Sequence, residues 1–242
     1  MKVAILTTET PHHSFFVRSI KQICDDVVVF SETAVGPKPG FETHHSFEEA
    51  RESYEWNRWF QGRKTGLGQL APTRVVPTMN DPSAIHALRA DQPDLVVVFG
   101  TGVLRPPTIE AANNRLYNLH GGDPEEYRGL DTHLWAIYHR DFSGLVTTVH
   151  RLDAGLDTGD IVLQAPVPLE RDMKLHALRA ANSELCVTLT TAVIGMAARH
   201  RGIPARPQHR QGRYYSAMPA ELKSVCQMRF EKYTAGLHND SR

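Results

Sequence analysis

Asn118 and His120 stand two residues apart in the run Arg115-Leu-Tyr-Asn-Leu-His120. In an extended strand that spacing turns both side chains to the same side. An asparagine amide donates a hydrogen bond to a carbonyl oxygen that gains negative charge. A neutral histidine takes a proton from an attacking amine or returns one to a leaving nitrogen. Together they suit acyl transfer to an amine. Alone, the pair is equally what two polar residues at a strand end look like.

A second segment bears on the first. Gly155-Leu-Asp157-Thr-Gly159-Asp160 reads as a tight turn whose glycines allow positive φ or close backbone approach. A carboxylate from this turn brought near His120 would favour the protonated imidazole and could orient a water or the amine. The other reading is a simple turn whose aspartates bond their own backbone.

These residues need elements to position them. Residues 2–8 and 27–30 read as short buried strands, with a helix between them carrying Phe15, Phe16, Ile20 and Ile23 on one face. Residues 94–100, Asp-Leu-Val-Val-Val-Phe-Gly, form the clearest strand, suited to the centre of a parallel sheet. Further strands are expected at 74–78, 115–120, 145–152 and 160–169. Helices are expected at 47–60 behind a Ser46–Glu49 capping box, from Asp81 to Ala90, at 108–114, 131–140, 172–200 and 219–234. Strands alternating with helices specify an α/β chain with a parallel sheet and crossover helices. Such sheets bind ligands at the carboxyl ends of their strands.

Three segments in order, Asn118-Leu-His120, Tyr127-Arg128-Gly129 and Thr148-Val-His-Arg-Leu-Asp153-Ala-Gly155-Leu-Asp157-Thr-Gly159-Asp160-Ile, resemble the folate-dependent formyltransferases. The likeness is strong over 90–170 and looser before. It implies a Rossmann-like, mostly parallel sheet with flanking helices, a catalytic domain over 1–200 and a C-terminal extension over 201–242. It implies 10-formyltetrahydrofolate as co-substrate and no metal. Asn118, His120 and Asp157 fall on the family's catalytic positions: Asn118 for the formyl oxygen, His120 as the histidine, Asp157 holding His120 and a water. The pterin would lie between 99–104, with Phe99, Gly100, Val103 and Leu104, and the 153–157 turn, with Asp153 and Gly155. Gly121, Gly122, Tyr127 and Arg128 would border the acceptor.

Two departures from the family pattern bear on that acceptor. Where many relatives carry a Ser-Leu-Leu-Pro-like loop, this chain has Gly121-Gly-Asp-Pro124, so the floor of the site should differ. The turn Thr7-Thr-Glu-Thr-Pro-His-His13 lacks the glycine-rich character of a phosphate cradle. Only about 40 residues follow the long helix and none precede Lys2 but Met1, so a transfer-RNA-binding appendage and an N-terminal regulatory domain are not expected. A nucleotide-linked amino sugar of the surface-polysaccharide, O-antigen kind is the first expectation; an amino-acid or natural-product amine is the second.

Composition sets outer bounds. Lys plus Arg and Asp plus Glu are equal at 27 each, so a dedicated nucleic-acid binder is not expected. The three cysteines offer no CxxC pair and read as buried apolar residues in a reducing compartment. No signal peptide or bilayer-length apolar run is evident, which makes a cytoplasmic protein the expectation. His12-His13 and His44-His45 read as solvated loop histidines, without the spacing of a metal site. Tyr54, Trp56, Trp59, Phe60, Tyr214 and Tyr215 could stack a base but read first as packing or dimer contacts. A dehydrogenase would need a GxGxxG turn, which is absent; a binding module without catalysis would need a broken Asn–His–Asp set.

Overall fold

A computed structural model describes residues 1–34, 36, 39–113, 115–199 and 202–237. The expected ends of two helices at Asn114 and His200, residues 35, 37 and 38, and residues 201 and 238–242 of the C-terminal extension lie outside the described residues.

Seven strands make one sheet: β1 (Lys2–Thr7), β2 (Asp26–Glu32), β3 (Thr73–Val76), β4 (Leu95–Phe99), β5 (Leu116–His120), β7 (Val146–Arg151) and β8 (Ile161–Pro166), in spatial order β3-β2-β1-β4-β5-β7-β8. The first five are parallel, while β7 and β8 join antiparallel. The continuous apolar runs of β1 and β4 follow from burial on both faces. Val3, Ile5, Leu95 and Val97 pack into one cluster; Ala4, Leu6, Val96 and Val98 pack into the other. Strand order reverses between β1 and β4, which opens a crevice at their carboxyl ends.

The first face is covered by α1 (Pro11–Ile23) and by the long helix α6 (Leu175–Arg199), against which α2 (Phe47–Phe60) also packs. The second face is covered by α3 (Pro82–Asp91) and α4 (Pro106–Ala111). By length and composition α6 is apolar enough to cross a membrane; here it packs against α1, α2 and β7. A second sheet of two strands pairs β6 (Tyr127–Gly129) with β9 (Arg213–Tyr215), and α7 (Ala220–Ala235) packs on α5 (Thr132–Tyr138) through Phe230, Cys226, Leu134 and Ile137. All three cysteines are buried and free.

Four local expectations change. Ile23 is about half exposed at the end of α1, whose buried face is instead Phe16, Val17 and Ile20. Ser46 is itself helical and makes no cap; His45 takes that place, its Nδ1 accepting from Phe47 N and its own N–H donating to Glu48. The helix expected at 108–114 starts at Pro106, where proline suits the first turn. His12 and His13 are not solvated loop residues: they form the buried first turn of α1, against the Phe99 ring. Of the aromatic candidates for base stacking, Trp59 and Phe60 lie in a buried cluster with Ala180, and Tyr215 stacks on Tyr127. Tyr214 is exposed.

Candidate active site

Strand β5 carries Asn118 and His120 to its carboxyl end, both on one face, while Tyr117 and Leu119 enter the core on the other. The antiparallel register places His150 of β7 directly opposite Asn118 and Thr148 opposite His120. Asp157 arrives from the turn after β7, with φ +53°. His120, His150 and Asp157 are each buried.

Asn118 Nδ2 donates to His150 Nε2 at 3.1 Å and reaches Asp157 Oδ1 at 3.4 Å. His150 Nε2 stands 3.4 Å from the same oxygen. His120 Nδ1 faces Asp157 Oδ2 at 3.7 Å. The other ring nitrogen, Nε2, donates to the Tyr127 carbonyl at 2.8 Å, which fixes the neutral tautomer and leaves Nδ1 as the proton-accepting atom. His150 Nδ1 likewise donates to the Arg151 carbonyl at 2.8 Å, so its Nε2 can accept from Asn118. The backbone N–H of Gly129 donates to Asp157 Oδ2 at 2.9 Å.

The electrostatics divide the two partners. Burial lowers the His120 pKa below its ordinary 6.5, outweighing the upward pull of Asp157. Asp157 does favour the protonated imidazole, as expected, but burial is the larger effect and leaves His120 neutral near pH 7. Burial would raise the Asp157 carboxyl, but His150 against Oδ1, the charge His120 carries when protonated and the Gly129 N–H together hold it at about 2. A neutral base thus faces a carboxylate that stays ionised, the arrangement needed to accept a proton and stabilise the imidazolium that results. In proton NMR the His120 ring, assigned with a His120→Gln variant, should titrate below 6.5; a midpoint above 6.5 would show that Asp157 dominates burial.

The segment after β4 is tied down by groups the sequence did not flag. Gly100 takes φ +76°, and a side chain there would press into the His13 ring. Glu32, buried at the end of β2, accepts from Gly102 N at 2.8 Å and Met79 N at 2.7 Å. Val103 is exposed and its carbonyl accepts from Asn80. Leu104 is buried in an apolar cluster against which Leu152, just before the 153–157 turn, also packs, while Phe99 belongs to the cluster on the other face. Within that turn Asp153 Oδ1 accepts from Gly155 N at 3.0 Å and from Thr158 Oγ1 at 2.7 Å.

Gly121 and Gly122 continue directly from His120. A Cβ on Gly122 would stand 3.2 Å from His120 Nε2 and 3.1 Å from Thr132. Tyr127 contributes its carbonyl to His120, while its ring is buried and its hydroxyl donates to Asp141. Arg128 donates to the Leu156 carbonyl at 3.0 Å and to Gly212 O at 2.7 Å, tying the Asp157 turn to the C-terminal segment. Gln208 reinforces it through the carbonyls of Asp157 and Gly159.

The structure therefore brings Asn118, His120 and Asp157 together and adds His150. His150 lay inside the Thr148–Ile161 motif, but only the β5–β7 register shows that it faces Asn118. His150→Leu should leave the Asn118 amide without its 3.1 Å partner, costing about 1–3 kcal/mol in urea denaturation. It should also raise the Asp157 carboxyl from about 2, read by carboxyl-carbon NMR. No change in either quantity would show that His150 is packing alone.

A mostly parallel α/β sheet carries an asparagine, a neutral histidine and an ionised aspartate at its carboxyl edge, groups with the chemistry that acyl transfer to an amine would need. The family follows from comparison: residues 60–193 match the Formyl transferase family, and this chain belongs to it. A methionyl-tRNA formyltransferase from Trichlorobacter lovleyi is 28% identical over 181 residues, 74% of this chain and 56% of that protein. The chain spans about half the length of the curated relatives it matches. Among solved structures, the formyltransferase PseJ from Anoxybacillus kamchatkensis, in complex with UDP-4,6-dideoxy-4-formamido-L-AltNAc and tetrahydrofolate, superposes with a TM-score of 0.55 at 18% identity, covering 99% of this chain and 93% of that one. An N-formyltransferase from Helicobacter canadensis, with folinic acid and dTDP-3-aminofucose, gives 0.60 at 15% identity, covering 89% and 71%.

Proposed function

We propose that this protein transfers a formyl group from 10-formyltetrahydrofolate to the amine of a small molecule, and that the acceptor is a nucleotide-linked amino sugar. The observation that carries the transfer reading is the meeting of Asn118, His120 and Asp157 at the end of β5, with His120 held neutral and its Nδ1 turned to the carboxylate. The sugar reading is supported by the ligands named for the PseJ and Helicobacter canadensis structures. The methionyl-tRNA relatives favour a second acceptor, an aminoacyl-tRNA.

In the proposed reaction the amine nitrogen bonds to the formyl carbon. Asn118 Nδ2 exchanges its long contact with Asp157 for the formyl oxygen as that oxygen gains charge. His120 Nδ1 takes the proton the amine releases, and Asp157 stabilises the imidazolium. The same proton passes to the folate nitrogen as the old C–N bond breaks, returning His120 to its neutral state. Phe99, Gly100, Val103, Leu104, Asp153 and Gly155 border the folate, and the Gly121–Gly122 loop with Tyr127 and Arg128 borders the acceptor.

The test is direct. The full chain is mixed with 10-formyltetrahydrofolate and a panel of nucleotide-linked amino sugars, amino acids and methionyl-tRNA, and tetrahydrofolate release is followed by absorbance. Turnover with an amino sugar supports the reading, and turnover with methionyl-tRNA alone selects the second acceptor. Silence with every amine, together with no folate binding by calorimetry, would sink the transferase reading.

A further inference from the structure

Behind the Gly121–Gly122 loop lies a cavity of about 160 Å³. Pockets that enclose a whole drug-sized ligand run to about 300–1,000 Å³, so this one takes one end of a molecule. Two guanidiniums line it, Arg51 of α2 and Arg179 of α6, together with Asn182, His133, Asp131 and Gly121. The glycine matters to its shape: a Cβ there would stand 3.2 Å from His133 Cε1 and 3.7 Å from Asn182 Nδ2. The loop that departs from the family pattern thus forms the wall between this cavity and His120.

The surrounding charges are balanced in number but not in use. Both Glu55 oxygens are taken by Arg179, at 2.7 and 2.6 Å. Glu48 accepts from Lys223, from His45 N and from one Arg51 nitrogen. Asp131 Oδ2 accepts from Met218 N and lies 3.9 Å from Lys223. Arg51 Nε is buried with no partner. The Asn182 amide nitrogen has only the weak acceptor Cys186 Sγ, at 3.8 Å. Each guanidinium already meets a glutamate, Arg179 both Glu55 oxygens and Arg51 one Glu48 oxygen, so what is left to a ligand is the unpartnered Arg51 Nε beside the weakly partnered Asn182 amide. Burial, then the charge of Arg179, lowers the Arg51 pKa against the upward pull of Glu48, Glu55 and Asp131, and His12 is lowered by burial, then by His13, Arg179 and Arg51. The cavity thus presents two donors, Arg51 Nε and Asn182 Nδ2, to which the described residues offer no strong acceptor.

We propose that this cavity seats an anionic group, a carboxylate or a phosphate, carried by the amine acceptor and held by Arg51 and Arg179 with Asn182. This rests on the formyl-transfer reading for the word acceptor, but the anion site stands on its own geometry. Arginine is the residue suited to such groups because its planar fork meets two oxygens at once.

Isothermal titration of the full chain with inorganic phosphate, and separately with sodium acetate, tests the site without turnover. At least one should bind, and binding should weaken at least tenfold in Arg51→Gln. Arg51→Lys keeps the charge and loses the fork, so it should weaken binding by an intermediate factor; it also serves if Arg51→Gln fails to fold. Folinic acid should bind all three proteins equally. Phosphate binding alone identifies a phosphate-bearing acceptor, and acetate binding alone a carboxylate-bearing one. In turnover, the bound anion should compete with the amine and not with 10-formyltetrahydrofolate. Neither anion binding, equal binding by the folded variants, or competition against the folate overturns the proposal. Loss of folinic acid binding with anion binding intact overturns the folate reading and leaves the anion site supported.

Discussion

His120→Ala should lower the turnover number of the proposed formyl transfer by about 10²–10⁴-fold, the usual range for losing a positioned general acid–base group. The ring supplies two separable things. In the proposed reaction its Nδ1 accepts the proton, and its Nε2–H satisfies the buried Tyr127 carbonyl at 2.8 Å. Alanine removes both, so a stability loss of about 1–3 kcal/mol accompanies the kinetic one. His120→Gln separates them. A glutamine amide can still donate toward Tyr127 O, but it offers no atom that takes a proton near neutral pH. The glutamine variant should therefore melt closer to the parent while turning over as slowly as the alanine variant. If instead it recovers turnover in proportion to its melting temperature, His120 holds the loop and does no proton transfer.

How far the site was legible in the sequence depends on which contacts are local. The β4 run and the strand carrying Asn118 and His120 were readable because apolar continuity and two-residue spacing are properties of the chain itself. Asp157 was readable because its glycine-bounded turn is local too. His150 joins them only through an antiparallel register, a tertiary fact that no spacing reveals. The upward pull of Asp157 on His120 was legible because the carboxylate is visible in the sequence; the burial that outweighs it was not. His12 and His13 looked like loop residues because polar pairs after Pro11 give no sign of the ring of Phe99 that buries them. The β6–β9 pair is three residues long on each side, below the length at which alternation carries information. Arg51 and Arg179 stand on two helices far apart in the chain, so their shared cavity has no sequence signature.

Asp157→Asn is the substitution that isolates charge from shape. The carboxamide oxygen can keep the Gly129 N–H, and its nitrogen can donate to His150 Nε2 in place of Asn118, so the turn should stay seated. What disappears is the negative charge 3.7 Å from His120 Nδ1. At an effective dielectric constant of about 20, unit charges about 4 Å apart interact by about 4 kcal/mol, which converts to roughly a 10³-fold loss of turnover. The Michaelis constant for 10-formyltetrahydrofolate should hardly move. Without the carboxylate the His120 ring should titrate lower still, since Asp157 is among the groups that raise it. Stability gives an independent reading. A carboxyl lowered from its ordinary 3.8 to about 2 contributes stability that is complete above 3.8 and is lost as pH falls toward 2. The parent should lose on the order of 2 kcal/mol across that window beyond what Asp157→Asn loses. A variant that keeps a tenth or more of parental turnover, with the His120 titration unmoved, would reduce Asp157 to a backbone anchor for Gly129 and leave proton transfer to another group.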